Sequence, residues 1–371
     1  MKKLISIVII TLGLMVVVLS TGFAEVYSLR VSPGMELLAG VLSHTTWIER
    51  LGPDGEGNEY FRALNEFFLP YQDHEAVKIA QDLTDGGFVY DAPPAFIAHL
   101  GSLPELELAY EYSDYLVRRA GKRERLEKFR LALKELAKEA NFLDFYAHWE
   151  PYLHELVTTS NVGFRPDVIT DWLEEFFGWP AAEFHIILTP AMFPGGGYGA
   201  TVTNLKGESI AYQITREYGR STTKPEFPTG QNLEALTIHE LGHSFVNPSL
   251  EAYPTEVKAL RPLYNRVRQE MKDQAYPNVQ IFFNEQVLRA VEVMAAYDLY
   301  DEQTVENTIT YNEERGFYLM EFVVEQLKVY RANRAQYPTF RDFVPYLLDQ
   351  LADYQKEHCS FWEMLIGIWP F

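Results

Sequence analysis

One cysteine, Cys359, stands in a chain of 371 residues. No disulfide can form within the chain, so its fold has to be held by a buried apolar core or by bound metal. The composition supports such a core, because 47% of the residues are hydrophobic and 14% aromatic, far from the make-up of a disordered chain. The length admits one large domain or two modest ones. The texture divides into a mostly helical region over 25–160 and a second region over 161–371, with one continuous domain over 25–371 as the alternative.

The first 24 residues differ from the rest. Lys2 and Lys3 precede an almost unbroken apolar run over 4–19, and Ser20-Thr21-Gly22 with Ala24 follow. This is the layout of a secretory signal peptide, so the mature protein is expected to be exported, either secreted or held in the periplasm or cell envelope. An uncleaved membrane anchor is the alternative. The acidic residues number 52 against 32 basic, a formal charge of −20. Such a surface repels phosphate backbones and argues against a nucleic-acid partner.

Periodicity predicts an α+β chain, mostly α-helical. A short strand is expected over 26–31, then helices over 35–51, 59–68, 75–83, 93–100 and within 105–157. A helix over 167–177 precedes three strand-like runs at 184–189, 200–204 and 210–215, and the pattern from 232 onward is helical again. A small sheet therefore lies just before the helix that carries His239-Glu240-Leu241-Gly242-His243.

That helix is expected to be capped by Asn232 and to end at Asn247-Pro248. Histidines four apart project from one face, where two imidazole nitrogens can grip one Zn²⁺. Glu240, after the first histidine, is the candidate general base for a metal-bound water. A catalytic zinc needs a third protein ligand and one open position. No histidine or aspartate follows at a suitable short spacing, but the helix over 284–292 carries Glu285 and Glu292 seven apart on one face. Glu285 is the favoured ligand and Glu292 the alternative. Arg289 or Glu292 then orients a histidine or carboxylate from behind.

With Asn284-Glu285 after His239-Glu240-Leu241-Gly242-His243, the sequence resembles the gluzincins, zinc peptidases with a downstream helical Glu as third ligand. Arg289 stands where thermolysin-like members carry an Asp, so the surroundings of the ligands must differ. Nearly the whole mature chain is also similar to a bacterial family catalogued as a domain of unknown function. That likeness is carried by residues 35–38, 67–74, 87–92 and 239–248. The resemblance implies a zincin-like fold with one zinc ion per chain and leaves the substrate open.

Other residues complete the picture. Tyr276, Tyr311, Tyr318 and His358 are candidate donors to an oxyanion. Gly197, Tyr198 and Gly199 are a candidate edge on which an extended peptide could lie. His74 reads as a helix N-terminal residue behind an Asp73 cap. The expected function is hydrolysis of peptide bonds in a peptide or protein substrate. The alternative is a non-catalytic, metal-containing envelope protein with the same fold.

Overall fold

The computed structural model describes residues 27–51, 58–193, 197–217 and 226–359; the expected signal peptide lies outside them. Strand β1 (Tyr27–Val31) leads into α1 (Pro33–Leu42), α2 (Thr46–Leu51), α3 (Glu59–Phe68), α4 (Glu75–Asp85) and α5 (Ala92–Ala98). Then come α6 (Asp114–Ala120), α7 (Arg123–Glu139), α8 (Phe142–Ser160) and α9 (Pro166–Phe177). Three strands follow, β2 (Glu183–Thr189), β3 (Gly197–Thr203) and β4 (Ser209–Arg216). The last helices are α10 (Gly230–Glu251), α11 (Pro254–Ala259), α12 (Arg261–Asn265), α13 (Arg268–Asp273), α14 (Val279–Leu299), α15 (Glu302–Glu314), α16 (Met320–Ala332) and α17 (Phe340–His358). The chain is thus α+β and mostly helical, with a small sheet before the helix bearing His239 and His243. No helix among the described residues is long and apolar enough to cross a membrane.

The sheet has the order β1-β2-β4-β3. β1 pairs with β2 and β2 with β4 in parallel, whereas β3 closes the edge antiparallel to β4, Gly197 opposite Thr215 and Gly199 opposite Gln213. One strand of the sheet therefore comes from the N-terminal region and three from the C-terminal one. Both faces are covered, which is why β2 reads as an almost continuous apolar run rather than an alternating one. Tyr198, Ala200, Val202, Ile210, Tyr212 and Ile214 join the core built by α1 to α8. Phe184 and Ala211 join the core that holds Leu241 and Phe245 of α10 and most of α14. The Phe177 and Phe245 rings stack there at 4.6 Å.

Several local expectations are corrected. The run over 35–51 is two helices, broken after Leu42, where the Ser43 hydroxyl donates to Gly40 O at 2.8 Å. Residues 105–113 are not helical; Leu106 takes a positive φ of 43° and Leu108 bridges to Leu100. His74, not Asp73, caps α4, its Nδ1 accepting from the Ala76 amide at 3.0 Å. α10 starts beyond Thr229 instead of Asn232, and it runs through Pro248 to Glu251. Proline removes one helical hydrogen bond, but its ring is on the exposed side while Ser249 and Leu250 are buried. The packing of that last turn outweighs the local penalty. β3 begins at Gly197, so Gly197, Tyr198 and Gly199 are part of the sheet.

Candidate metal centre

α10 presents His239 and His243 from one face, with their rings 4.9 Å apart. Each ring is held from behind. His239 Nδ1 is hydrogen-bonded to Glu292 Oε1 on α14, with the nitrogen as donor because a carboxylate only accepts. His243 Nδ1 lies 3.1 Å from Asn247 Oδ1, one turn further along α10. A proton on each Nδ1 leaves each Nε2 with its lone pair free. Both Nε2 atoms turn toward Glu285 of α14: His239 Nε2 is 3.8 Å from Oε2 and His243 Nε2 is 3.4 Å from Oε1.

Those spacings are long for hydrogen bonds. They suit a different purpose, because ligand atoms about 2.0–2.1 Å from a tetrahedral zinc stand roughly 3.3 Å from one another. Donor atoms of His239, Glu240 and His243 also lie within 4.8 Å of one another. The carboxylate that faces both imidazole nitrogens is nevertheless that of Glu285. Two nitrogens and one carboxylate, each with a fixed orientation, fit a zinc-type donor set.

Glu285 is supported in turn. Its Oε2 accepts from Arg289 Nη2 at 3.1 Å, and the same nitrogen lies 3.1 Å from the Tyr276 hydroxyl. Arg289 Nη1 donates to Asn312 Oδ1 at 2.9 Å, and the guanidinium lies over the Phe317 ring at 4.5 Å. A buried arginine beside a buried carboxylate avoids the penalty of leaving either charge alone. Burial works against ionising Glu285, but His243, His239 and Arg289 outweigh it and hold the carboxyl below its ordinary range. Burial also opposes charging His239, yet Glu292 raises that ring above its ordinary value; His243 is lowered, chiefly by burial. The Glu240 carboxyl, 5% exposed, is pushed up to about 7, mainly by burial. A carboxyl of that kind exchanges its proton near neutral pH.

Three glycines let these elements come together. A Cβ on Gly199 would stand 2.6 Å from the Glu240 backbone oxygen and 3.2 Å from His243 Cβ, and one on Gly197 would meet Glu240 Oε1 at 2.3 Å. The candidate edge residues Gly197 and Gly199 therefore lie directly against the His-Glu face of α10. Tyr198, between them, points into the opposite core. A Cβ on Gly242 would strike Leu288 at 2.5 Å, so α14 also needs that glycine to approach α10.

Of the four candidate oxyanion donors, Tyr276 is tied to the cluster, through Arg289. Tyr318 donates to Leu263 O at 3.0 Å. Tyr311 is 57% exposed and pairs with Arg315, and His358 bonds to Tyr354 O at the exposed end of α17. Asn247 and Asn312 were not legible as site residues. Asn247 stands four residues after His243, a spacing that would have revealed it had Pro248 not argued for the helix ending there.

A mostly helical α+β protein with two backed histidines and a buried glutamate around one point defines a candidate metal protein. The sequence profile described as Domain of unknown function (DUF4932) matches residues 54–349, and the chain belongs to that family. No curated protein and no solved structure matches it.

Proposed function

We propose that the chain is an exported, zinc-dependent metallopeptidase of the gluzincin type, with a zincin-like fold, acting on a peptide or protein substrate. One observation carries this reading: both Nδ1 atoms are engaged from behind while both Nε2 atoms face the Glu285 carboxylate. His239, His243 and Glu285 would hold the ion. When bound, zinc supplies Lewis acidity and lowers the pKa of a coordinated water. Glu240 Oε1 or Oε2 takes a proton from the attacking water and delivers it to the leaving amine. Glu292 and Asn247 fix the two rings, and Arg289 keeps the Glu285 carboxylate ionised and oriented. β3, which has a strand partner on one side only among the described residues, offers backbone groups to an extended substrate beside Glu240.

A purely structural zinc site is closed by a fourth protein ligand and has no use for a buried base such as Glu240. The test is metal content of purified residues 25–371, joined to cleavage of a broad peptide set. About one zinc per chain with cleavage that disappears in Glu240→Gln supports the peptidase reading. Zinc without turnover on any peptide moves the assignment to a metal-containing binding protein of the cell envelope, and no zinc after reconstitution defeats both.

A further inference from the structure

Ser28 and Arg30 lie on β1, and Glu183 and His185 lie on β2. Residues two apart on a strand share a face, and Ser28 stands opposite His185 in the parallel register. His185 stands opposite Tyr212 of β4, whose ring it meets at 4.6 Å. Tyr212 belongs to the core built by α1 to α8, so these four polar side chains gather on that face of the sheet. The cluster of His239, His243 and Glu285 lies beyond the other face.

Their contacts follow a definite order. Ser28 Oγ is 2.8 Å from His185 Nδ1, and His185 Nε2 is 2.9 Å from Glu183 Oε2. A carboxylate only accepts, so it favours the tautomer with the proton on Nε2 and the lone pair on Nδ1. The Ser28 hydroxyl then donates to Nδ1. Arg30 Nη1 bonds to the Ser28 oxygen and lies 3.1 Å from His185 Nδ1. Burial, and after it the Arg30 charge, hold the His185 ring below its ordinary pKa, which keeps it neutral as a base must be. Ser28 and His185 are partly exposed, Arg30 is exposed, and the Glu183 side chain is 52% exposed. Ion pairs open to water contribute little to stability, so the fold gains little from this order of groups. A nucleophilic serine needs it: a hydroxyl bonded to a base, and the base held on its far nitrogen by a third group. The two ring nitrogens exchange the places they hold in serine proteases, while the path from hydroxyl to imidazole to carboxylate is the same.

We propose that Ser28 is the nucleophile of a second, metal-independent site that takes small activated acyl esters, with His185 as its base and Arg30 as the group that stabilises negative charge on oxygen. Ser28 Oγ bonds to the acyl carbon as the bond to the leaving oxygen breaks. The Ser28 proton passes to His185 Nδ1 and from there to the leaving alcohol. Water, giving its proton to the same nitrogen, then releases the acid and restores the Ser28 hydroxyl. Arg30 faces the oxygen on which charge develops. Glu183 is a positioning residue, acting through His185. The partial exposure of Ser28 and His185 suits a short acyl group. No step uses the α10 cluster, so this site stands or falls apart from the peptidase reading.

The test treats the purified protein with a small alkyl fluorophosphonate and locates the modified residue by mass spectrometry. Fluoride leaves as the bond from Ser28 Oγ to phosphorus forms. About one phosphonyl group per chain should appear on Ser28 in the folded protein and none on Ser28 in the urea-unfolded chain. Labelling should be lost in Ser28→Ala, with Tm and zinc content those of the wild type. His185→Gln should slow it about 10²–10⁴-fold, the scale of a lost general base. Glu183→Gln should slow it with Tm unchanged, a readout that a merely structural carboxylate would not move. p-Nitrophenyl acetate should leave acetyl-Ser28 on acid quenching. No label on Ser28 in the folded wild type, equal labelling of the folded and unfolded chains, or an undiminished rate in a folded His185→Gln overturns the proposal. If His185→Gln does not fold, the comparison of folded and unfolded wild type decides alone.

Discussion

His239 Nδ1 is hydrogen-bonded to the Glu292 carboxylate, which joins the first histidine of α10 to a residue 53 positions later on α14. That bond fixes which nitrogen of His239 faces inward. It also separates the two glutamates of α14: Glu292 stands behind a histidine, whereas Glu285 stands in front of both.

The two glutamates should therefore fail differently. Glu285→Ala removes a group facing both Nε2 atoms and should abolish stoichiometric zinc binding. Glu292→Ala leaves those groups in place and should weaken zinc binding by about 10–100-fold, as loss of a ligand-orienting partner does. Competition with a metal chelator measures both affinities; equal losses, or a greater loss for Glu292→Ala, would reverse the assignment.

Glu240→Gln preserves shape and removes the proton acceptor. Peptide turnover should drop about 10²–10⁴-fold while the zinc content stays that of the wild type. Elemental analysis alongside a cleavage assay checks this, and zinc lost together with activity would make Glu240 a ligand instead of a base.

Gly199→Ala places a methyl group against the Glu240 backbone oxygen, which cannot move without shifting α10. Overpacking of this kind costs about 1–3 kcal/mol, readable as a lower urea midpoint. The nearest atoms to a methyl group in Gly197→Ala are Oε1, Cδ and Cγ of the Glu240 side chain rather than backbone, so it should disturb stability less and activity more. Comparable destabilisation by the two would contradict this account of the β3–α10 contact.

Outside the cluster, Glu36 of α1 is fully buried, with neither oxygen in a well-aligned hydrogen bond. Burial pushes its carboxyl well above the ordinary value of 4.5, against smaller opposing effects of the Tyr60 hydroxyl and the Ala191 amide. The native state thus holds a proton that the unfolded chain releases first. Its contribution to stability is complete below about 4.5 and declines as pH rises toward the native value, by no more than about 1.4 kcal/mol per pH unit. Glu36→Gln lacks this titration, so it should gain stability relative to wild type between about pH 5 and about pH 8. Denaturant melts at both pH values measure the difference; a constant gap would show that Glu36 titrates normally.

The sequence by itself determined that a helix would carry His239, Glu240 and His243, and that the two imidazoles would share a face. Spacings of one turn are local geometry, independent of the rest of the fold. The same logic placed Glu285 and Glu292 on one face of another helix, and there it stopped, because residues seven apart are equivalent until a partner helix is docked. Only the crossing of α14 over α10, at the distance Gly242 permits, turned Glu285 toward the two Nε2 atoms and Glu292 toward an Nδ1. The end of α10 was likewise a tertiary decision: Pro248 argues locally for a stop, but burial of Ser249 and Leu250 carries the helix one turn further and aligns Asn247 with His243. The role of Gly197 and Gly199 was hidden for a related reason, since glycine in a sequence signals freedom. Here it marks two positions where a strand and the His-Glu face of α10 lie too close for any side chain.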